Sequence, residues 1–253
     1  VTAVPGESGA GRRPVLAGQT VVLIGGSAGI GLETARQVRA EGGQVVLAGR
    51  DPERLRQAAL ELQPLSTAAL DATDTDRLEQ FFRELPGPVD HVMVTAGGPA
   101  YMPLADMDLA AARRAIDERF ATTLGVALYS RDKVRAGGTL LFMGGTGARR
   151  PGVGMAVTSA LTAATPALVA NLALELAPIR VNVIAAGFVD TPLSASLLGD
   201  QLDARREELR ATLPIRRVVG PADVAALAVH LMWNEALTGA TYDIDGGQQL
   251  ISS

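Results

Sequence analysis

Residues 20–31 read Thr-Val-Val-Leu-Ile-Gly-Gly-Ser-Ala-Gly-Ile-Gly. Thr20–Ile24 is a short apolar, β-branched run, the pattern of a strand buried on both faces of a parallel sheet. Gly25 to Gly31 then turns the chain, and Gly29 to Ala40 carries apolar residues at helical spacing up to the stop signal Gly42-Gly43. A strand feeding a helix through glycines leaves the backbone N–H groups of the helix start bare. Their partial positive charge, with no side chains in the way, seats a phosphate.

Outward from this unit the same alternation repeats. Strands are expected at Gln44 to Ala48, at a short run ending at Leu70, and at Asp90 to Val94, Thr139 to Met143, Ile179 to Ile184 and Ala240 to Ile244. Helices are expected at Asp51 to Leu62, Thr75 to Leu85, Leu109 to Val134, a stretch ending near Ala177, and Pro221 to Trp233. Asp51-Pro52 reads as a helix start with Asp51 as the cap. Thr191 to Leu213 is charged and partly helical, the composition of a lid carrying Leu193, Leu197, Leu198 and Leu202. Seven strands alternating with helices predict an α/β chain of Rossmann type, a doubly wound parallel seven-stranded sheet with helices on both faces. The chain's 253 residues suit one such domain, 19–253, preceded by a flexible tail over 1–18 that is rich in Gly, Pro and charge.

Composition narrows the function. Hydrophobic residues make up 47% and charged residues 20%, with a net charge of −4. That acidic balance argues against a nucleic-acid partner. The absence of cysteine removes thiolate zinc ligands and thiol nucleophiles, and no carboxylate cluster accompanies His91 or His230 at metal-ligand spacing, so no metal is expected. No uninterrupted apolar stretch long enough to span a bilayer is read, nor a signal peptide in residues 1–18, which makes cytoplasmic the default location.

Several segments together resemble the short-chain dehydrogenase/reductase family over nearly the whole chain after the tail. Gly25, Gly29, Ile30 and Gly31 match its glycine motif. Leu70-Asp71-Ala72 resembles the segment whose aspartate holds the adenine amino group, and Thr95-Ala96-Gly97 the end of its Asn-Asn-Ala-Gly motif. Glu175 to Val183 and Asp243-Ile244-Asp245-Gly246-Gly247 are similarly typical. The resemblance implies a nicotinamide dinucleotide cofactor held by Gly25, Ser27, Gly29, Ile30, Gly31, Asp71, Ala72, Ala96, Gly97, Thr162 and Thr191. Asp190-Thr191 is similar to the segment that contacts the carboxamide, with Ala186-Gly187 where the family has Pro-Gly. NAD-specific members place an acid after the second strand, whereas this chain has Gly49-Arg50. An arginine fork suits a 2′-phosphate, and Ser27 adds a hydroxyl to the same place, so NADP(H) is favoured over NAD(H). A solvated surface charge is the other reading of Arg50.

Family members reduce or oxidise carbonyls with an asparagine, a serine, and a tyrosine and lysine four residues apart. Counting back from Glu175-Leu176-Ala177 puts the lysine position on Thr162 and the tyrosine position on Thr158. Leu141 to Gly145 puts the serine position on Gly145, and the asparagine position falls on or near Arg119. No Tyr-x-x-x-Lys occurs in the chain, whose single lysine is Lys133. A threonine hydroxyl is a far weaker acid than a phenol, so the family's ordinary proton relay is not expected.

The candidates left are Tyr101, Arg119 and Thr158. Tyr101 lies in the loop after the fourth strand, as a proton donor or as packing. Arg119 either points into the pocket to bind a carboxylate or oxyanion, or pairs with Asp117 or Glu118. Thr158, Ser159 and Thr162 can bond a nicotinamide ribose without acid–base work. Arg149-Arg150 is either an anionic-substrate site or a solvated pair, and Tyr129, Tyr242, His91 and His230 suit structural roles. An oxidoreductase acting on a small carbonyl or alcohol through an unusual donor, Tyr101 or an ordered water, stands first. Behind it come a non-redox dehydratase, cyclase or isomerase and a silent nucleotide binder. Family members pair through their long helices, which implies a homo-oligomer, dimer or tetramer, with Ala127, Leu161, Leu168 and Leu172 on the shared surface.

Overall fold

The computed structural model describes residues 14–251. Seven parallel strands form one sheet: β1 (Thr20–Ile24), β2 (Gln44–Gly49), β3 (Ser66–Ala69), β4 (Val89–Val94), β5 (Val134–Gly145), β6 (Arg180–Ala186) and β7 (Thr241–Ile244). Their order is β3-β2-β1-β4-β5-β6-β7. Eight helices connect them: α1 (Gly29–Ala40), α2 (Pro52–Leu62), α3 (Thr75–Glu84), α4 (Leu109–Ser130), α5 (Ala156–Glu175), α6 (Pro192–Leu198), α7 (Leu202–Thr212) and α8 (Pro221–Trp233). The chain winds from β1 toward β3, then returns to continue from β4 on the other side of β1. The crevice where the winding reverses therefore lies above the carboxyl ends of β1 and β4.

Both faces of the sheet are dry at its central strands. Val22, Ile24, Val92, Val94, Leu140 and Phe142 pack with α3, α4 and α5. The alternating residues Val21, Leu23, Val45, Leu47, Met93 and Leu141 pack with α1, α2 and α8. This is why the strands read as unbroken apolar runs. Asp51 caps α2 as expected, its carboxylate accepting the N–H groups of Glu53 at 3.0 Å and Arg54 at 3.1 Å.

Several expectations are corrected. Residues 1–13 lie outside the described residues, but 14–18 are not a loose tail. Leu16 is fully buried, its N–H donates to the Glu41 carbonyl at 3.0 Å, and the Val15 N–H donates to the Glu41 carboxylate at 3.1 Å. One apolar side chain tucked beneath the end of α1 outweighs the loop-like composition around it. Helix α4 stops at Ser130 rather than Val134, closed by a Lys133 N–H to Ser130 carbonyl bond of 2.9 Å. Strand β5 begins at Val134, earlier than expected, because Val134 already pairs with Val89. The register then slips before His91 pairs with Thr139, and Gly137 takes φ +80° there. The diglycine is a bulge inside a strand rather than a lead into one.

Helix α5 also departs from expectation. It is long and apolar enough to cross a membrane by length and composition. Here it lies across β5 and β6, burying Val157, Leu161, Val169 and Leu172. Ala127, Leu161 and Leu172 are thus buried within this chain, and Leu168 packs against its core. The large apolar residues that α4 and α5 expose are Leu109, Ile116, Leu124, Leu128 and Leu174. An all-round apolar helix has no periodic face to read, so the exposed side was not legible.

Candidate active site

The crevice above β1 and β4 is built by close backbone approach. The N–H groups of Gly25 and Gly26 donate to the Ala48 carbonyl at 2.8 and 3.1 Å, and the Thr95 hydroxyl donates to the Gly25 carbonyl at 3.1 Å. A Cβ on Gly25 would stand 2.5 Å from Thr95 Oγ1 and 2.8 Å from the Ala96 nitrogen. One on Gly31 would strike the Gly25 carbonyl and stand 2.6 Å from the same hydroxyl. Only glycine fits at either position, and Gly25 also holds φ +96°. The turn thereby brings the start of α1, with its free N–H groups, to the switch point. That cradle is the shape and charge a dinucleotide pyrophosphate needs, so the residues fit such a cofactor. Thr95, whose side chain ties the two strand ends, was read only as part of a motif.

The other expected cofactor contacts surround this turn. Ser27 Oγ lies 2.9 Å from where a Cβ on Gly49 would be, so an acid at the end of β2 has no room unless Ser27 moves. Arg50 is exposed just beyond β2 and near enough to Asp71 to act on its charge. Asp71 accepts the N–H of Thr73 at 3.0 Å and its hydroxyl at 2.9 Å through Oδ1, and these bonds hold its carboxyl below the usual carboxylate range. Its Oδ2 takes no part in them. Ala72 and Ala96 pack in the core beside the crevice, and Ile30 packs on the opposite face. Gly97 turns the chain out of β4 at φ +100°. Thr191 caps α6 through its hydroxyl, 3.2 Å from the Ser194 nitrogen, and lays its methyl toward Gly29.

The positions drawn from the family resemblance do come together. Arg119, Thr158 and Thr162 line one cavity with Gly98 and Gly144, and a Cβ on Gly145 would stand 3.3 Å from the Thr162 methyl. Its volume of about 20 Å³ holds roughly one water molecule. The Thr158 hydroxyl donates to the Ala100 carbonyl at 2.9 Å and accepts the Ala100 N–H at 3.0 Å. Thr162 bonds back to the carbonyls of Thr158 and Ser159, both at 3.0 Å, and Ser159 to that of Gly147 at 3.0 Å. These hydroxyls hold backbone in place.

Arg119 does not form the ion pair that was its second reading. Its guanidinium turns inward and donates to the carbonyls of Met143 at 3.2 Å and Gly98 at 3.3 Å. It pairs with neither Asp117 nor Glu118, and burial lowers its pKa. Arg149 forms an ion pair with Asp243 at 2.5 Å.

The segment after β6 approaches this cavity through one residue. Leu193 lies over Gly98, 3.6 Å from where a Cβ there would stand. Asp190 receives a two-pronged ion pair from Arg206 of α7, at 2.8 and 2.9 Å, and Val189 bridges to Val219. Tyr101 stands at the mouth, 55% exposed, outside the cavity wall. Partial burial raises its phenol pKa, with nearby Arg205 opposing the shift. A larger opening of about 160 Å³ lies beyond Thr162, between α5 and the sheet, walled by Gly145, Ala163, Pro166 and Val183.

A strand–glycine–helix cradle at the switch point of a seven-stranded parallel sheet defines a dinucleotide-binding α/β protein. Residues 25–249 match the family model described as enoyl-(acyl carrier protein) reductase. The chain belongs to the short-chain dehydrogenase/reductase family. It is 28% identical over 256 residues to the short-chain dehydrogenase/reductase malC of Malbranchea aurantiaca, covering 94% of this chain and 97% of that one. The structure of that MalC reductase/Diels-Alderase superposes with a TM-score of 0.86 at 26% identity, covering 94% and 99% of the two chains. The crystal structure of a small-chain dehydrogenase in complex with NADPH gives 0.79 at 29% identity, with 92% and 99% covered. The NADPH-bound short-chain oxidoreductase of Pseudomonas aeruginosa PAO1, containing an atypical catalytic center, gives 0.82 at 25% identity, with 92% and 97% covered.

Proposed function

We propose that the protein is an NADP(H)-dependent carbonyl reductase that lacks the family's tyrosine–lysine relay and works around Arg119. The observation that carries this is the pairing of an intact glycine cradle with a cavity whose only charged wall is Arg119. The cofactor, when bound, supplies the hydride equivalent. Gly25, Gly29, Ile30 and Gly31 seat its pyrophosphate, Asp71 and Ala72 its adenine side, and Arg50 with Ser27 its 2′-phosphate. Gly97, Thr162 and Thr191 border its nicotinamide end.

Arg119 directs N–H groups toward the carbonyl oxygen, where negative charge grows during reduction. A water in the small cavity gives that oxygen its proton, and the hydroxide left behind is reprotonated from solvent as product leaves. Tyr101 is the weaker candidate, since burial makes its phenol less acidic and it stands outside the cavity wall. Leu193 over Gly98 limits access of bulk water. The description of MalC as both reductase and Diels-Alderase favours a cyclisation as the second reading. Pairing of copies through Leu109, Leu124, Leu128 and Leu174 completes the proposal.

Fluorescence titration with NADPH and with NADH, followed by absorbance loss on a panel of aldehydes and ketones, tests the reading. NADPH binds about tenfold or more tightly than NADH, and Arg50→Glu erases the difference, as loss of a charge-assisted phosphate contact requires. Equal affinities for the two would remove the NADP(H) assignment. Tight NADPH binding without any turnover would favour the second reading.

A further inference from the structure

Two arginines are drawn into the body of this protein, and they are satisfied very differently. Arg180 donates to the carbonyls of Gly137, Leu231, Met232, Asn234 and Leu237 at 2.6 to 3.3 Å. Four of these lie at the carboxyl end of α8 or just beyond it, where the helix carries partial negative charge, and Glu235 adds a full one nearby. Arg180 is thus a compensated structural cation. Arg119 has two carbonyl partners, Met143 and Gly98, and no carboxylate partner among the described residues. A guanidinium carries five N–H donors, so these two bonds leave donors over for a further acceptor at the cavity that Arg119 lines. A charge held partly away from water is stabilised when a counter-charge arrives.

The surroundings describe that counter-charge. The walls near Arg119 are Pro99, Ala100, Leu161, Thr158 and Thr162, with Leu193 overhead. The threonine hydroxyls already donate to backbone carbonyls. Tyr101, next in the chain to the wall residue Ala100, is exposed. We propose that Arg119 is an anion-binding residue and that the substrate is an apolar oxo acid whose carboxylate sits beside the carbonyl to be reduced. A planar carboxylate matches the planar guanidinium fork, and the apolar body matches the walls. This rests on the reductase reading above, whose reacting carbonyl it places next to the charge.

Phenylglyoxylate and its methyl ester carry the same ring and ketone but differ in charge. Calorimetric titration of each, with and without saturating NADP⁺, reads the proposal. The acid binds about tenfold or more tightly than the ester, as a charge-assisted pair predicts. Arg119→Met abolishes the preference and Arg119→Lys keeps part of it. Melting temperature supplies the second measurement: Arg119→Met lowers it far less than Arg180→Met, because an uncompensated charge adds little to stability. An ester bound as tightly as the acid, a preference that survives in Arg119→Met, or a loss of stability equal to that of Arg180→Met each overturns the proposal. An acid preference that appears with no affinity for NADP⁺ would overturn the reductase reading instead and leave the anion site standing.

Discussion

Thr158 and Ala100 exchange two hydrogen bonds through one hydroxyl, which donates to the carbonyl at 2.9 Å and accepts the N–H at 3.0 Å. The side chain at the first turn of α5 thereby clamps the loop that leaves β4. Gly98, two residues before Ala100, offers its carbonyl to Arg119. Thr158→Val is isosteric but leaves both backbone groups of Ala100 unmatched. Stability falls by about 1–3 kcal/mol in urea unfolding, and amide exchange at residues 98–102 accelerates. An unchanged exchange rate there would show that the clamp does not order the loop.

Gly31→Ala places a methyl against the Gly25 carbonyl and 2.6 Å from Thr95 Oγ1. Helix propensity alone favours alanine by up to ~1 kcal/mol. Because both obstacles are fixed, the sign reverses, to a loss of about 1–3 kcal/mol. NADPH affinity drops with it. Gly87→Ala, which meets nothing within 4 Å, is the control and leaves both quantities unchanged. A Gly31→Ala protein of undiminished stability would mean that the two strand ends are less closely held.

His91 is buried between strands, its Nε2 bonded to Gln19 Oε1 at 2.7 Å and its Nδ1 without a partner. Desolvation, with a smaller push from Arg180, lowers its pKa to about 3. The unfolded chain takes up a proton near the ordinary histidine value while the folded protein does not. Stability from this group is therefore full above about pH 6.5 and declines as the pH falls from there toward 3, by up to about 1.4 kcal/mol per unit. His91→Gln flattens that part of the profile in urea unfolding between pH 4 and 7. An identical slope in the variant would refute the assignment.

Arg206 and Asp190 join α7 to the start of the lid, with side chains 29% and 31% exposed. Solvent screening at this exposure leaves the pair little weight in global stability. Its effect is local: it ties Asp190, at the head of the segment 191–213, to α7 within that segment. Arg206→Met and Asp190→Asn each speed limited proteolysis within that segment, and the double variant adds little to either, as a coupled pair requires. Fully additive acceleration would argue against a latch.

Much of this was legible in the residues. The apolar runs, the glycine turn and Asp51-Pro52 are local signals, and local signals survive folding because neighbouring residues alone satisfy them. Leu16, the reach of β5 through Gly137 and the exposed side of α5 were read wrongly. Each depends on what a distant element covers: the end of α1, the edge of β4, the face of the sheet. Arg119 shows the limit most clearly. Asp117 and Glu118 beside it in the chain offered a local partner, and the helix turned it the other way, onto carbonyls at the ends of β4 and β5.

The order of residues dictated the architecture and the phosphate cradle, because strand, glycine and helix follow one another without a break. Which groups face the cavity was decided by packing alone. Thr158, Arg119 and Leu193 acquire their partners only when loops from β4, β5 and β6 converge over one crevice, and backbone carbonyls brought together from far along the chain leave no mark in any single stretch of it.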